Sequence, residues 1–257
     1  MHTPLCGHAQ GWPVDYARAA VERGLEEIAF SDHNPMPPRL EPFDDWRMKF
    51  DDLPRYFEAV EEARAAVPQL PIRLGLEVDY VPGHEGWIEE LAGLARWDFL
   101  MGSVHYVAPG WDVDNIEHLE KRPVEEVWGI YFEMLERCVL TGLFDWIAHP
   151  DLPKRFGYRP TGDLRRFYEP VIAAMARTGT AFEINTGGLR RPAQECYPAA
   201  PFLRLAREAG VEMLINSDAH APQEVGAGFD VAVRMAREAG YDSVLRIQNR
   251  VKTAVAL

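Results

Sequence analysis

Cysteine is scarce in this 257-residue chain: Cys6, Cys138 and Cys196 are the only three, too few and too scattered for a disulfide framework or a paired zinc-finger spacing. A small odd number suits a reducing compartment, so the expected location is the cytoplasm. Also lacking are an apolar run of membrane-spanning length and a charged-then-apolar leader, which predicts a soluble protein. No glycine-rich phosphate loop or dinucleotide fingerprint occurs, and we find neither internal repeats nor low-complexity tracts. Positive charge is in deficit: 27 Lys and Arg against 40 Asp and Glu leave a formal charge of -13. Extended polyphosphates such as DNA are held by clustered cations, so nucleic acid is not an expected partner. A small anion stays compatible, because a few local cations or bound metals override a negative surface.

What the chain does have is alternation. Short apolar runs at Leu25–Phe30, Ile72–Tyr80, Asp98–His105, Phe144–Ala148, Thr180–Ile184 and Val211–Ile215 read as strands. Stretches of helical spacing separate them: Val14–Arg23, Asp52–Val67, His84–Ala95, Val124–Thr141, Asp163 to about Thr178, Ala199–Ala209 and Glu224–Ala239. Pro170 should kink or divide the fifth of these helices. The proline-rich stretch Pro35–Pro42 forbids regular structure, Val107–Pro123 reads as a lid-like loop, and a strand pair is expected after Tyr241. Strands alternating with helices predict βαβ units and a parallel sheet, here in one α/β domain spanning residues 1–257.

Polar residues close every strand. Asp32-His33, Glu77, His105, His149 and Asp218-Ala219-His220 each follow or end an apolar run, and His2 and His8 sit at the N-terminus. An open doubly wound sheet gathers its chemistry at one switch point, whereas function spread over every strand end is what a closed barrel predicts. A single histidine is more often a packed or surface residue than a ligand, and His84 and His118 are read that way. Cys6 is read as packing. The others form a set of imidazoles and carboxylates without thiolates, a donor mixture that favours zinc, manganese or iron over magnesium.

These residues carry a resemblance. His2-Thr3-Pro4-Leu5-Cys6-Gly7-His8, Ser31-Asp32-His33-Asn34, Glu77, Gly102-Ser103-Val104-His105, Ala148-His149-Pro150-Asp151 and Ser217-Asp218-Ala219-His220 together resemble the polymerase-and-histidinol-phosphatase (PHP) family from end to end. Pro4–His8 and Asn185–Arg191 are most similar to its histidinol-phosphate phosphatase branch. The resemblance implies a distorted (β/α)7 TIM-like barrel with three divalent metal ions. His2, Glu77 and Asp218 would serve the first ion, Glu77 would bridge to a second held by His105 and His149, and His8, His33 and His220 would hold the third. It further implies hydrolysis of a phosphate monoester, L-histidinol phosphate, in histidine biosynthesis.

The family opens with His-x-His at the end of its first strand, and here Met1 stands at the x position. We therefore expect a truncated first strand and a natural product that begins several codons upstream; an in-frame stop just before Met1 contradicts this. Phosphate monoesters resist hydrolysis because a nucleophile must approach a dianion and an alkoxide must leave, and clustered cations ease both steps. The expected nucleophile is a metal-bridging hydroxide, with Asp32 as the acid for the leaving oxygen. Lys154, Arg155, Arg190 and Arg191 follow strand ends and are the expected phosphate contacts, Lys154 and Arg190 foremost. Trp111, Asp112 and Asp114 could wall in the rest of the substrate. Three alternatives stand beside this: an amidohydrolase-type barrel, a nuclease of the same family, and an inactive metal-binding regulator.

Overall fold

The computed structural model describes residues 1–40, 46–108 and 110–257. The end of the expected proline-rich stretch, Glu41 and Pro42, lies outside them. In chain order the strands are β1 (Ile28–His33), β2 (Ile72–Asp79), β3 (Phe99–Ser103), the short β4 (Tyr106–Ala108) and β5 (Trp111–Asp112), β6 (Trp146–Ile147), β7 (Ala181–Asn185), β8 (Met213–Asn216), β9 (Ser243–Gln248) and β10 (Val251–Ala256). The helices are α1 (Pro13–Glu22), α2 (Leu53–Ala66), α3 (Glu85–Gly93), α4 (Ile116–Leu119), α5 (Val124–Leu140), α6 (Arg165–Thr178), α7 (Ala200–Glu208) and α8 (Phe229–Glu238).

Six strands pair in parallel in the order β1-β2-β3-β6-β7-β8. The ring closes at its mouth through two residues rather than a full strand. Ser31 N donates to Met1 O at 2.9 Å on the β1 side, and His2 N donates to Ala219 O at 3.1 Å just beyond β8. The architecture is a distorted (β/α)7 barrel in which the seventh position is filled only at the mouth. Below that bridge, a cavity of about 450 Å³ separates the facing edges of β1 and β8 and is lined by Ile28, Ala29, Leu214, Ile215 and Leu245 among others.

Two hydrophobic cores follow from the strand period of two. One face of each strand packs outward on the helices, with Phe30, Leu76, Leu100, Ile147 and Phe182 buried there. The other face fills the barrel with Phe99, Met101, Trp146, Ala148, Ala181 and Leu214, and Leu245 and Ile247 of β9 complete that inner cluster. Glycine is required at position 75, where a Cβ would come within 2.3 Å of the Phe99 ring. The antiparallel β9-β10 pair, the expected terminal strand pair, is anchored by two buried acids: Asp98 accepts from Leu74 N and Asn249 N, and Asp145 takes Arg250 Nε at 2.6 Å.

Three local expectations need correction. Helix α6 runs unbroken through Pro170, which is its sixth residue, so the missing N–H falls next to the first turn where few intrahelical bonds exist to lose. The expected helix from Glu224 begins only at Phe229, because Gly226 and Gly228 take positive φ and interrupt it. The segment expected as a lid-like loop is ordered: β4 and β5 form a hairpin, followed by α4.

Candidate metal centre

Register brings the strand-end ligands together. In the β1-β2 ladder His33 lies beside Glu77, and in the β2-β3 ladder Asp79 lies beside Ser103, so His105 emerges next to the end of β2. Glu77 is the hub, only 2% exposed. Its Oε1 is 3.0 Å from His149 Nε2 and 3.6 Å from His105 Nε2, and its Oε2 is 3.4 Å from His2 Nε2. Asp218 Oδ1 stands 3.0 Å from the same His2 nitrogen. The rings of His8, His33 and His220 join from the N-terminal side; His8 lies 4.7 Å from His220 and 5.4 Å from His33, centroid to centroid.

The backbone is strained at two of these residues. His149 has φ 27 and Asp218 φ 48, values that non-glycine residues adopt at a cost of order 1–3 kcal/mol. Surrounding bonds hold them there. Arg190 donates to the carbonyl oxygens of Ser217 and Asp218, and the buried Glu183 carboxylate accepts from His149 N at 3.1 Å and from the Asn185 and Asn216 amides, both at 2.6 Å.

A further layer of carboxylates orients the imidazoles. Asp79 accepts from His105 Nδ1 at 2.9 Å and from His105 N at 3.0 Å, and the fully buried Arg47 holds its other oxygen at 2.5 Å. Burial opposes the Asp79 charge, yet His105 and Arg47 outweigh it and keep this carboxyl well below the usual range. Asp32 contradicts its expected role as proton donor. It is 0% exposed and lies beneath the centre: Oδ2 accepts from Thr3 Oγ1 and Thr3 N, Oδ1 accepts from His33 N, and His2 Nδ1 lies 3.5 Å away. Because β1 ends at His33, Asp32 points to the opposite face of the strand from the ligand that follows it.

The donor set fits divalent ions. His2, Glu77 and Asp218 bring one ligand atom each within 4.8 Å of one another, as do His33, Glu77 and His105, and His2, His33 and His220. His33 Nδ1 is buried without a hydrogen-bond partner 4.0 Å from Glu77 Oε2, a lone pair a cation would take, and the Nε2 atoms of His2 and His149 face the same carboxylate. Burial disfavours charge on His2 and His105, but their carboxylate partners win and hold each at about 9. His33 and His220, with burial and neighbouring imidazoles against them, stay neutral well below their ordinary value. Protons here are answering a demand for positive charge. Cys6 is buried, its thiol bonded to Thr3 O at 3.1 Å, and its sulfur also lies within 4.8 Å of ligand atoms of His2 and Asp32.

These groups open into a cavity of about 230 Å³ whose wall includes Trp46, Asp112, Asp114, Arg155, Arg191 and Tyr197. Of the four expected cations, Arg155 and Arg191 reach it, Arg155 paired there with Asp114. Lys154 does not: it is 1% exposed, paired with Asp151 at 2.9 Å and bonded to Cys196 O at 2.7 Å. Arg190 does not either, since its guanidinium pairs with Glu224 at 3.1 Å while it braces the Asp218 backbone. Tight 3-10 turns set this, because neighbouring residues in such a turn point a third of a circle apart. Trp111 turns away as well, its Nε1 donating to His118 O and its ring stacked under Arg122. His118 accepts from Asp112 N, a structural role that matches its reading as a bystander.

Four contributors escaped the sequence reading: Asp79, Trp46, Tyr197 and Glu183. Asp79 carried a usable signal, since it stands two residues after Glu77 and so on the same strand face. Trp46 stands edge-on to His33 and His105 at 4.9 and 5.2 Å, reached through a segment with no periodicity to read.

A model of the PHP domain matches residues 1–187 of the chain. A protein of Deinococcus radiodurans described as a probable histidinol-phosphatase is 41% identical over 250 residues, covering 95% of this chain and 94% of that protein. The histidinol-phosphatase of Bacillus subtilis is 27% identical over 90% of this chain and 95% of its own length. Among solved structures, the histidinol phosphate phosphatase of Lactococcus lactis, complexed with zinc, L-histidinol and phosphate, superposes with a TM-score of 0.84 at 21% identity, covering 98% of this chain and 97% of that one.

Proposed function

The chain belongs to the PHP domain family, and from that membership we propose that it is a metal-dependent phosphomonoesterase that converts L-histidinol phosphate and water to L-histidinol and phosphate. Its setting is histidine biosynthesis in the cytoplasm; among the described residues no helix is long and apolar enough to cross a membrane. The observation that carries this reading is the meeting of five imidazoles, Glu77 and Asp218 at one cavity whose wall also holds Arg155 and Arg191, with His2 packed against both carboxylates. The kinship with named histidinol-phosphatases supports the choice of substrate.

Three divalent ions, zinc, manganese or iron, fit the donors. His2, Glu77 and Asp218 would hold one, Glu77 with His105 and His149 a second, and His8, His33 and His220 a third. Bound divalent ions supply an activated water at neutral pH and Lewis acidity toward phosphoryl oxygens. The protein's own part is placement. Arg155 and Arg191 hold the phosphoryl group, Arg with the forked donors that suit it. Asp79 and Asp32 fix the His105 and His2 rings. Asp112, which burial pushes up to about 6, stands at the cavity wall as the candidate to pass a proton to the leaving oxygen. The test is phosphate release from histidinol phosphate, with bound metal measured in the same samples. Turnover that a chelator abolishes is expected; bound metal without turnover overturns the proposal in favour of a binding-only role.

A further inference from the structure

We propose that the Tyr197 hydroxyl is a third phosphate-binding group, donating a hydrogen bond to a non-bridging phosphoryl oxygen of the substrate between Arg155 and Arg191. This rests on the phosphomonoesterase reading above and adds to it a residue that neither charge nor spacing marked out.

Buried hydroxyls nearly always find a partner, because one left unpaired has given up its bonds to water for nothing. Among the described residues two tyrosine hydroxyls are buried without one, Tyr168 and Tyr197, and of these only Tyr197 lines the metal cavity. Tyr197 is 2% exposed and cannot swing out to find water. Its backbone is tied to the end of β7 by two hydrogen bonds, Asn185 N to Tyr197 O at 2.6 Å and Tyr197 N to Asn185 O at 2.9 Å. Its ring is pinned against Gly188, where a Cβ would come within 2.9 Å of the ring and 2.0 Å of Glu195 O. Gly188 thus leaves room for both the Glu195 carbonyl and the Tyr197 ring.

The surroundings call for an anion. Arg155 and Arg191 stand on the same wall, and burial together with the charge of Arg191 depresses the Arg155 guanidinium, the mark of two cations held close in a partly dry site. The Arg155 Nε is likewise buried and unpartnered. Arg155 Nη1 pairs with Asp114 Oδ1 while its Nε stays unpartnered; that N–H, the Arg191 guanidinium and the unused Tyr197 hydroxyl line one cavity and are satisfied together by one tetrahedral dianion. Burial raises the Tyr197 phenol above its ordinary value, so it keeps its proton and acts as a donor throughout the working pH range.

Tyr197→Phe tests this, because it removes one oxygen and leaves the ring in place. Inorganic phosphate is the probe, read by its stabilisation of the metal-loaded protein against heat. The variant should bind phosphate about 10-fold or more weakly, and kcat/KM should fall about 10- to 100-fold, as for loss of a hydrogen bond to a charged group. The fall should be equal for histidinol phosphate and p-nitrophenyl phosphate, since the contact is with the group they share. Metal content and the melting temperature without phosphate should match the wild type. Unchanged phosphate affinity overturns the proposal; so does a loss confined to histidinol phosphate, which would place the hydroxyl at the leaving group, or a loss of bound metal. If the wild type turns over no ester, the phosphatase reading fails, while the phosphate-binding comparison still decides the role of Tyr197.

Discussion

The larger of the two cavities described above, about 450 Å³, lies between β1 and β8, and its wall includes Ile28, Ala29, Phe99, Met101, Leu214, Leu245 and Ile247. The smaller, about 230 Å³, lies at the mouth and is walled by imidazoles, carboxylates and guanidiniums. Met1 and His2 stand at their boundary. The larger space is walled mainly by apolar side chains, with Arg73, Glu183 and Asp218 also among its lining, so changes at its apolar positions act on stability. The smaller one concentrates charge that must be balanced, with backbone strain at His149 and Asp218 and a second layer of acids behind the ligands, so changes there act on chemistry. Size alone points to the wrong cavity; converging polar groups point to the right one.

The sharpest test of this division is Glu77→Gln, which removes a charge shared by His2, His105 and His149. We expect kcat/KM to fall on the order of a thousandfold with loss of bound metal by elemental analysis, while the fold survives by circular dichroism. Phe99→Ala tests the other region. It should cost about 3–5 kcal/mol by denaturant unfolding and leave kcat near that of the wild type at low temperature. A Phe99→Ala protein that loses activity before stability would break the comparison.

Stability against pH separates the regions a third way. With metal removed, His2 and His105 are held at about 9 against about 6.5 in the unfolded chain, so each binds its proton more tightly when folded. Their contribution, on the order of a few kcal/mol, is fully present below pH about 6.5 and is lost as pH rises through about 9. Metal-loaded protein should lack this alkaline loss, since the ions replace the protons, and melting curves from pH 6 to 10 with and without chelator check it. Asp79→Asn should weaken metal binding about 10- to 100-fold, because His105 loses the acceptor that orients it. Competition with a chromophoric chelator measures this. The smallest effect is expected from Arg190→Ala: its KM for histidinol phosphate should change by no more than about threefold, against tenfold or more for Arg191→Ala.

The order of strands and helices and the parallel barrel were legible because they depend on local periodicity, and the eight candidate ligand positions because they are polar residues beside apolar runs. Strand register then had little freedom: a slip of one residue would turn Glu77 out of the barrel and Leu76 into it. What periodicity could not reveal is direction within tight turns. Lys154 and Arg155 are neighbours, as are Arg190 and Arg191, yet one of each pair faces the cavity and the other is consumed in structure. Asp32 likewise lies beside a ligand in sequence and beneath it in space. Residue types and their spacing determined the barrel and its metal chemistry, because hydrophobic period and donor chemistry are properties of the chain. Which cation meets phosphate, which acid only positions a ring and which hydroxyl is left free were decided by tertiary packing, because a side chain's direction is set by the backbone it hangs from and by what already fills the space around it.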